Sequence, residues 1–379
     1  MTAHSRANLP PVELFDPAIH TPPDHATFAP LVEASIKAGP RLILWDLVGS
    51  CNLRCPSCPV GTMAGTNPKG MISEELFHRI LEKLSREFPN WQLHFYNWTE
   101  PLIHPRIADF VRAAADAGFH VHLSSNLNHL RDSETLVAAG AKTFRISLSG
   151  FTQLVYERGH RGGNIEKVKK NLIRLSEARK STGSLTRVHV YFHKYRHNVH
   201  ELPLMESFAR ELGFDFIADW AYLMPLEKLI AHVEDDLPDH ERNFADDSIV
   251  PAIDDAVALM QRSGGRDRPC DLIDQLVLDH QGRVTLCCAV FDGKRNFIAE
   301  YLDTDWTQLQ QMKYGHRSCD KCMHYAAHTL YTHFSKPDLR PMMEQLSREQ
   351  FANPPRKLGT RRGPIRLPLL DSGPLAESA

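Results

Sequence analysis

The sequence predicts an α/β protein: a partial, TIM-like barrel of about six strand–helix units followed by a small cysteine-bearing unit. From residue 41 to 220, strand-like apolar runs alternate with stretches of helical apolar spacing. Strict alternation implies parallel strands joined by right-handed helical crossovers. The eight cysteines form two groups, at 51–58 and 270–322, with none between.

Bulk properties narrow the function. The 379 residues are 42% hydrophobic and 24% charged, the balance of a soluble globular protein. A formal net charge of −2 gives no electrostatic case for nucleic acid or an anionic membrane as main partner. No apolar run reaches membrane-spanning length, and the first residues lack the basic-then-apolar layout of a secretory signal. The expected location is the cytoplasm. Thiols stay reduced there, so grouped cysteines point to metal chemistry.

Residues 1–39 carry six prolines and no apolar period, and read as a proline-rich extended arm. The barrel is expected over 40–230. Its first strand, 42–47, is mostly apolar and runs into the first cysteine group. Ser73 reads as the cap of a helix whose Leu76, Phe77, Ile80, Leu81, Leu84 and Phe88 share one face. Then follow a strand at 91–96, a helix at 106–117 ended by Gly118, and a strand at 120–124. A helix opened by Ser133, a strand at 143–148, a helix at 165–180 and a strand at 188–192 come next. A helix near 202–212 leads to the sixth strand, 215–220. Residues 231–268 read as an acidic, solvated connector with a helix near 250–262. Within 269–335, residues 276–286 read as a hairpin turning at 280–282. The stretch 336–379 reads as a proline-rich tail with a basic run at 356–362.

Cys51-x3-Cys55-x2-Cys58 sits where the first strand ends, the place where barrels of this type put reactive groups. Thiolates suit an iron–sulfur cluster, and three of them leave one iron of a four-iron cube without a protein ligand. Two zinc knuckles, Cys55-x2-Cys58 and Cys319-x2-Cys322, are the alternative, though they leave Cys51 unused.

The stretch CNLRCPSCP resembles the signature of the radical S-adenosylmethionine (SAM) superfamily. That resemblance implies a [4Fe-4S] cluster on Cys51, Cys55 and Cys58, with SAM chelating the open iron and cleaved to a 5′-deoxyadenosyl radical. Ser57 departs from the aromatic residue that the family often carries before the third cysteine. Further segments resemble the family in order. Thr99-Glu100-Pro101-Leu102 resembles a Gly-Glu-Pro element after the second strand, which implies Glu100 as partner of the SAM amino group. Ser124 and Asn126 after the third strand, and Ser147 after the fourth, resemble contacts to the SAM ribose and carboxylate. Ser149 stands where relatives often have aspartate. Arg161-Gly162-Gly163 resembles an Arg-Gly-Gly element, which implies Arg161 as a clamp on the SAM carboxylate.

Cys270, Gly282, Cys287, Cys319 and Cys322 resemble the SPASM domain in its shorter twitch form. That implies one auxiliary [4Fe-4S] cluster on Cys270, Cys287, Cys319 and Cys322; Cys288 is spare or replaces Cys287, since adjacent strand residues face opposite ways. A four-cysteine zinc site is the alternative. The pairs His193/His197 and His324/His328 lack any metal-motif context and read as ordinary histidines.

The expected activity is hydrogen abstraction from a substrate carbon and oxidation of a small molecule such as an alcohol, cyclitol or sugar. Modification of a ribosomally made peptide is the second expectation, and a non-catalytic zinc or electron-transfer protein the third. The expected partners are that substrate and an electron donor such as flavodoxin or ferredoxin. Asp219 and Tyr222 are candidate bases near the sixth strand's end.

Overall fold

In the computed structural model, which describes residues 12–15 and 25–355, the strands are β1 (Ile43–Trp45), β2 (Gln92–His94), β3 (His120–Ser125), β4 (Thr143–Leu148), β5 (Arg187–Lys194) and β6 (Asp215–Trp220), then β7 (Leu276–Leu278), β8 (Arg283–Thr285) and β9 (Phe297–Glu300). They form one nine-stranded sheet in the order β6-β5-β4-β3-β2-β1-β7-β8-β9. Neighbours from β6 to β1 pair in parallel, and among the described residues β6 has no second neighbour. The result is an open partial barrel. The hairpin β7–β8 turns at Gly282, whose φ of +82° favours glycine. β7 also pairs in parallel with β1, so the cysteine-bearing C-terminal unit extends the barrel sheet.

The helices are α1 (His25–Ala38), α2 (Pro59–Thr62), α3 (Glu74–Glu87), α4 (Ile107–Asp116), α5 (Ser133–Val137), α6 (Gln153–Gly159), α7 (Ile165–Thr182) and α8 (Leu202–Glu211). After the barrel come α9 (Leu226–Val233), α10 (Asp239–Ser248), α11 (Ile253–Arg262), α12 (Trp306–Lys313), α13 (Arg317–His324), α14 (Ala327–Thr332) and α15 (Leu339–Ala352). No helix among the described residues is long and apolar enough to cross a membrane.

Helix caps follow local chemistry. The Ser73 hydroxyl accepts from the Leu76 N–H at 3.2 Å, opening α3 as its sequence position suggests. Phe77, Ile80, Leu81 and Leu84 are then buried, and Phe77 stacks on Trp45 of β1 and Phe110 of α4 at ring distances of 5.0 and 4.0 Å. α5 is capped one residue earlier than expected, by Asp132, whose carboxylate accepts from Thr135 N–H at 3.0 Å. Asn164 caps α7, and Gly183 at φ +65° ends it. Along β4, Phe144, Ile146 and Leu148 are buried in the helix-covered core, while Thr143, Arg145 and Ser147 point to the other, inward face.

Three segments differ from the reading by composition. Residues 25–38 of the expected extended arm are helix α1, with Pro30 inside it. Tertiary contacts support that helix: the Trp306 indole N–H donates to the Ser35 carbonyl at 3.2 Å. Residues 339–352 of the expected tail are α15, which buries Leu339 and Met343; the basic run at 356–362 lies outside the described residues. The acidic segment contains α10 as well as α11, and several of its charges are paired. His232 meets Asp246 at 3.0 Å, Arg242 meets Asp235 at 2.8 Å, and Lys228 pairs with Glu241 while donating to the Thr62 hydroxyl. Those last contacts fasten the acidic segment to the end of the first cysteine loop.

Candidate active site

The loop after β1 presents Cys51, Cys55 and Cys58, all half-buried. Its backbone folds tightly: Cys58 N–H donates to the Cys55 carbonyl at 3.1 Å, and Gly61 N–H to the Cys58 carbonyl at 3.0 Å. At Gly61 a side chain is excluded, because a Cβ would lie 2.7 Å from the Cys55 carbonyl oxygen. Arg54 N–H reaches across to the Arg161 carbonyl at 3.0 Å, so the Arg-Gly-Gly segment is tied to the cysteine loop through its main chain. The Arg161 side chain itself is exposed. Ser57 hydrogen-bonds the Tyr195 hydroxyl at 2.8 Å, so an aromatic residue from beyond β5 reaches the position before the third cysteine.

Asp46, at the end of β1, organises the opposite wall. Its carboxylate accepts from the backbone N–H groups of Asn97, Trp98 and Thr99 at 2.9, 3.0 and 3.3 Å and from the Thr99 hydroxyl at 2.7 Å. This turns the loop after β2 so that the Trp98 carbonyl stands 3.9 Å from the Cys58 sulfur. Burial pushes the Asp46 carboxyl upward, with those donors opposing.

Glu100 follows directly and is 3% exposed. Its carboxylate accepts from Leu102 N–H at 3.1 Å and from Asn126 N–H at 2.8 Å, bracing the β2 loop against the end of β3. Burial raises its pKa to about 7. The Asn126 amide donates to Asn52 Oδ1 at 2.9 Å and approaches the Cys51 sulfur at 3.6 Å. Ser124 and Ser147 face each other at 3.3 Å on the inward row. Ser149 is fully buried and bonds His160 Nδ1 at 2.5 Å. Cys51, Cys55, Cys58, Glu100 and Asn126 are thus brought together, whereas Arg161 reaches the group only by its carbonyl.

The thiols fit a metal group by charge. Cys51 is pushed up to about 12 by burial and then by Glu100; Cys55 rises well above its ordinary value by burial and then by Cys58 and Cys51. Crowded, half-buried thiolates are unfavourable without a positive charge among them, and a bound metal centre supplies it. No group of three His, Cys, Asp or Glu side chains among the described residues is shaped for a single metal ion.

The second thiol group converges at the β7–β8 hairpin and α13. Cys287 is raised by burial and by Cys288, Cys270 and Cys319; Cys322 is raised by burial and by Cys270, Cys319 and Cys287. Cys288 also lies beside Cys287 and Cys270, and its N–H donates to Gln275 Oε1 at 3.3 Å. Lys313, fully buried at the end of α12, stands beside Cys287, Cys270 and Cys319 and donates to the carbonyls of Ile273 and, at 2.6 Å, Gln275. Burial lowers its pKa to about 8, against the pull of those thiols.

Three features escape a reading by motif: Asp46, Lys313 and the inward row of the sheet. That row carries His94 and Tyr96, joined at 2.9 Å, and His122, which bonds Thr143 at 2.7 Å. It continues to Arg145 and to Tyr191, whose hydroxyl donates to Asp219 at 2.9 Å. The polar alternation in HVHLSS, TFRISL and RVHVYFHK is the signal that exposes this face. Of the other candidates, Tyr222 meets His333 at 3.2 Å, while His324 and His328 bond backbone carbonyls at 2.8 and 3.0 Å.

Residues 46–201 match the family model of the Radical SAM superfamily, so this part of the chain is a radical SAM domain; enzymes of that superfamily use a [4Fe-4S] cluster and SAM. A 135-residue stretch is 29% identical to 7,8-dihydro-6-hydroxymethylpterin dimethyltransferase of Methanocaldococcus jannaschii, covering 34% of this chain and 26% of that protein. A 114-residue stretch is 34% identical to the AdoMet-dependent heme synthase of Methanosarcina barkeri, covering 29% of this chain and 32% of that protein. The chain therefore matches about a third or less of the length of these curated relatives. The crystal structure of BtrN in complex with AdoMet and 2-DOIA aligns with a TM-score of 0.47 and 16% identity, covering 79% of this chain and 90% of that one.

Proposed function

We propose that this protein is a radical SAM oxidoreductase that dehydrogenates a small molecule and carries an auxiliary iron–sulfur cluster as electron acceptor. The observation that carries this reading is the second thiol set, Cys270, Cys287, Cys319 and Cys322, with the buried Lys313 cation beside the first three. When bound, the first cluster and SAM together supply a primary carbon radical able to take hydrogen from an unactivated C–H bond. Cys51, Cys55 and Cys58 would hold that cluster. The Asn126 amide stands near the Cys51 sulfur, and Glu100 fixes Asn126 by accepting its N–H. Loss of a hydrogen atom from a carbinol carbon leaves one electron and the hydroxyl proton to be removed for a carbonyl to form. The Lys313 charge would favour an added electron on a cluster held by the second thiol set, because net charge and hydrogen bonds set cluster potentials. Asp219, which accepts from the Tyr191 hydroxyl, would receive the proton.

Anaerobic reconstitution of the wild type and a Cys270→Ala/Cys319→Ala variant tests the reading. About eight irons per chain in the wild type and about four in the variant are expected. The variant should still make 5′-deoxyadenosine but accumulate no oxidised product. Equal iron in both proteins contradicts the auxiliary cluster.

A further inference from the structure

The inward face of the sheet holds an arginine with no counter-ion among the described residues. Arg145 lies on β4 between Thr143 and Ser147, on the row opposite the helix-packed Phe144 and Ile146. Its Nε donates to Ser124 Oγ at 2.9 Å, and its central carbon lies 4.8 Å from the Tyr96 ring centroid and 5.2 Å from that of Tyr191. These contacts fix the plane of the guanidinium without neutralising it. Among the described residues no carboxylate comes within ion-pair distance. The acids of β6, two strands away, face other partners: Asp215 pairs with Arg187 at 2.5 Å, and Asp219 accepts from the Tyr191 hydroxyl at 2.9 Å. The two terminal nitrogens of Arg145 have no protein acceptor among the described residues, and the nearby imidazoles of His94 and His193 are held neutral by burial.

A half-buried cation without a partner costs stability, and a rigid planar fork suits two oxygens of one anion. The position matters as much as the charge. Arg145 is one inward step below Ser147, on the row leading to the strand ends where the cysteine loop sits. A molecule held there by an anionic end would direct its other end toward that loop.

We propose that Arg145 binds a carboxylate or phosphate of the small-molecule substrate. The role as substrate site rests on the function proposed above; the anion site itself does not. The carboxylate of SAM is the other source of the same chemistry, and the test separates the two.

Thermal midpoints of the reconstituted protein are measured with orthophosphate or malonate against chloride at equal ionic strength. The wild type is expected to rise saturably, by about 2 °C once the anion exceeds its Kd roughly tenfold. Arg145→Gln should show no rise, and Arg145→Lys, which keeps the charge but loses the fork, a smaller one. Iron content after reconstitution should equal that of the wild type in both variants, which shows that both fold. An absent rise in the wild type, or an equal rise in Arg145→Gln, overturns the anion site. Loss of SAM binding in both variants, with SAM abolishing the anion rise in the wild type, overturns the substrate assignment and gives the guanidinium to SAM. A wild type that makes no deoxyadenosine but keeps the Arg145-dependent rise refutes the proposed function while supporting the anion site.

Discussion

Replacing Asp46 by alanine should collapse the wall of the site that no cysteine contributes to. The carboxylate accepts three backbone N–H groups and one hydroxyl, at 2.7 to 3.3 Å. A hydrogen bond to a charged group is worth about 1.5–3 kcal/mol, and a buried donor left alone costs about 1–3 kcal/mol. Residues 97–99 are only half-buried, so water replaces part of the loss. Removal of the carboxylate's own desolvation cost offsets a further part. The net expectation for Asp46→Ala is about 3 kcal/mol. Asp46→Asn keeps one acceptor oxygen but turns an NH2 group toward the Trp98 N–H, for a loss of about 1–2 kcal/mol. Urea unfolding of the metal-free chain measures both, and iron content after reconstitution reports whether Cys58 and its wall survive. A loss below about 0.5 kcal/mol for Asp46→Ala, with normal iron, would refute the assignment of Asp46 as the organiser of this loop.

Two further substitutions read other parts of the site. Glu100 has its pKa raised to about 7 in the fold from an ordinary 4.5, so between those values the folded chain holds a proton that the unfolded chain has lost. Its contribution is therefore complete below pH 4.5, falls as pH rises to 7 and is flat above; urea midpoints of the metal-free chain should show Glu100→Gln lacking that fall, and an identical pH profile would contradict it. Lys313→Met should make the proposed auxiliary cluster harder to reduce, because it removes the buried cation and two carbonyl contacts. An EPR-monitored redox titration that finds an unchanged or higher potential would exclude Lys313 as the tuning charge.

Much of the architecture is legible in the chain. The alternation of apolar strands and amphipathic helices is strong because each strand is covered by helices on one face, and the cysteine spacing marks the end of β1 directly. Cys51, Cys55, Cys58 and Glu100 are visible because their local neighbours carry a pattern. Asp46 is not, since a single acid in an apolar run gains meaning only when the loop after β2 folds over it. Arg145 hides for a different reason: its alternation with Phe144 and Ile146 looks like any half-buried strand until β2, β3 and β5 place Tyr96, Ser124 and Tyr191 around it. Helix α1 is masked by Pro30, and α15 carries Pro341 in its first turn, where proline is tolerated. The adjacency of Cys287 and Cys288 hides which thiol belongs to the second group, because spacing treats neighbours alike and only the register of the chain after β8 separates them.

The most direct test of the central claim is the formation of 5′-deoxyadenosine from SAM by the anaerobically reconstituted protein with a strong reductant. The cysteine loop, its Glu100–Asn126 brace and the superfamily match predict a brown protein that makes deoxyadenosine and loses the activity in each of Cys51→Ala, Cys55→Ala and Cys58→Ala. A colourless zinc protein, or an iron-loaded one that leaves SAM intact, would contradict the claim.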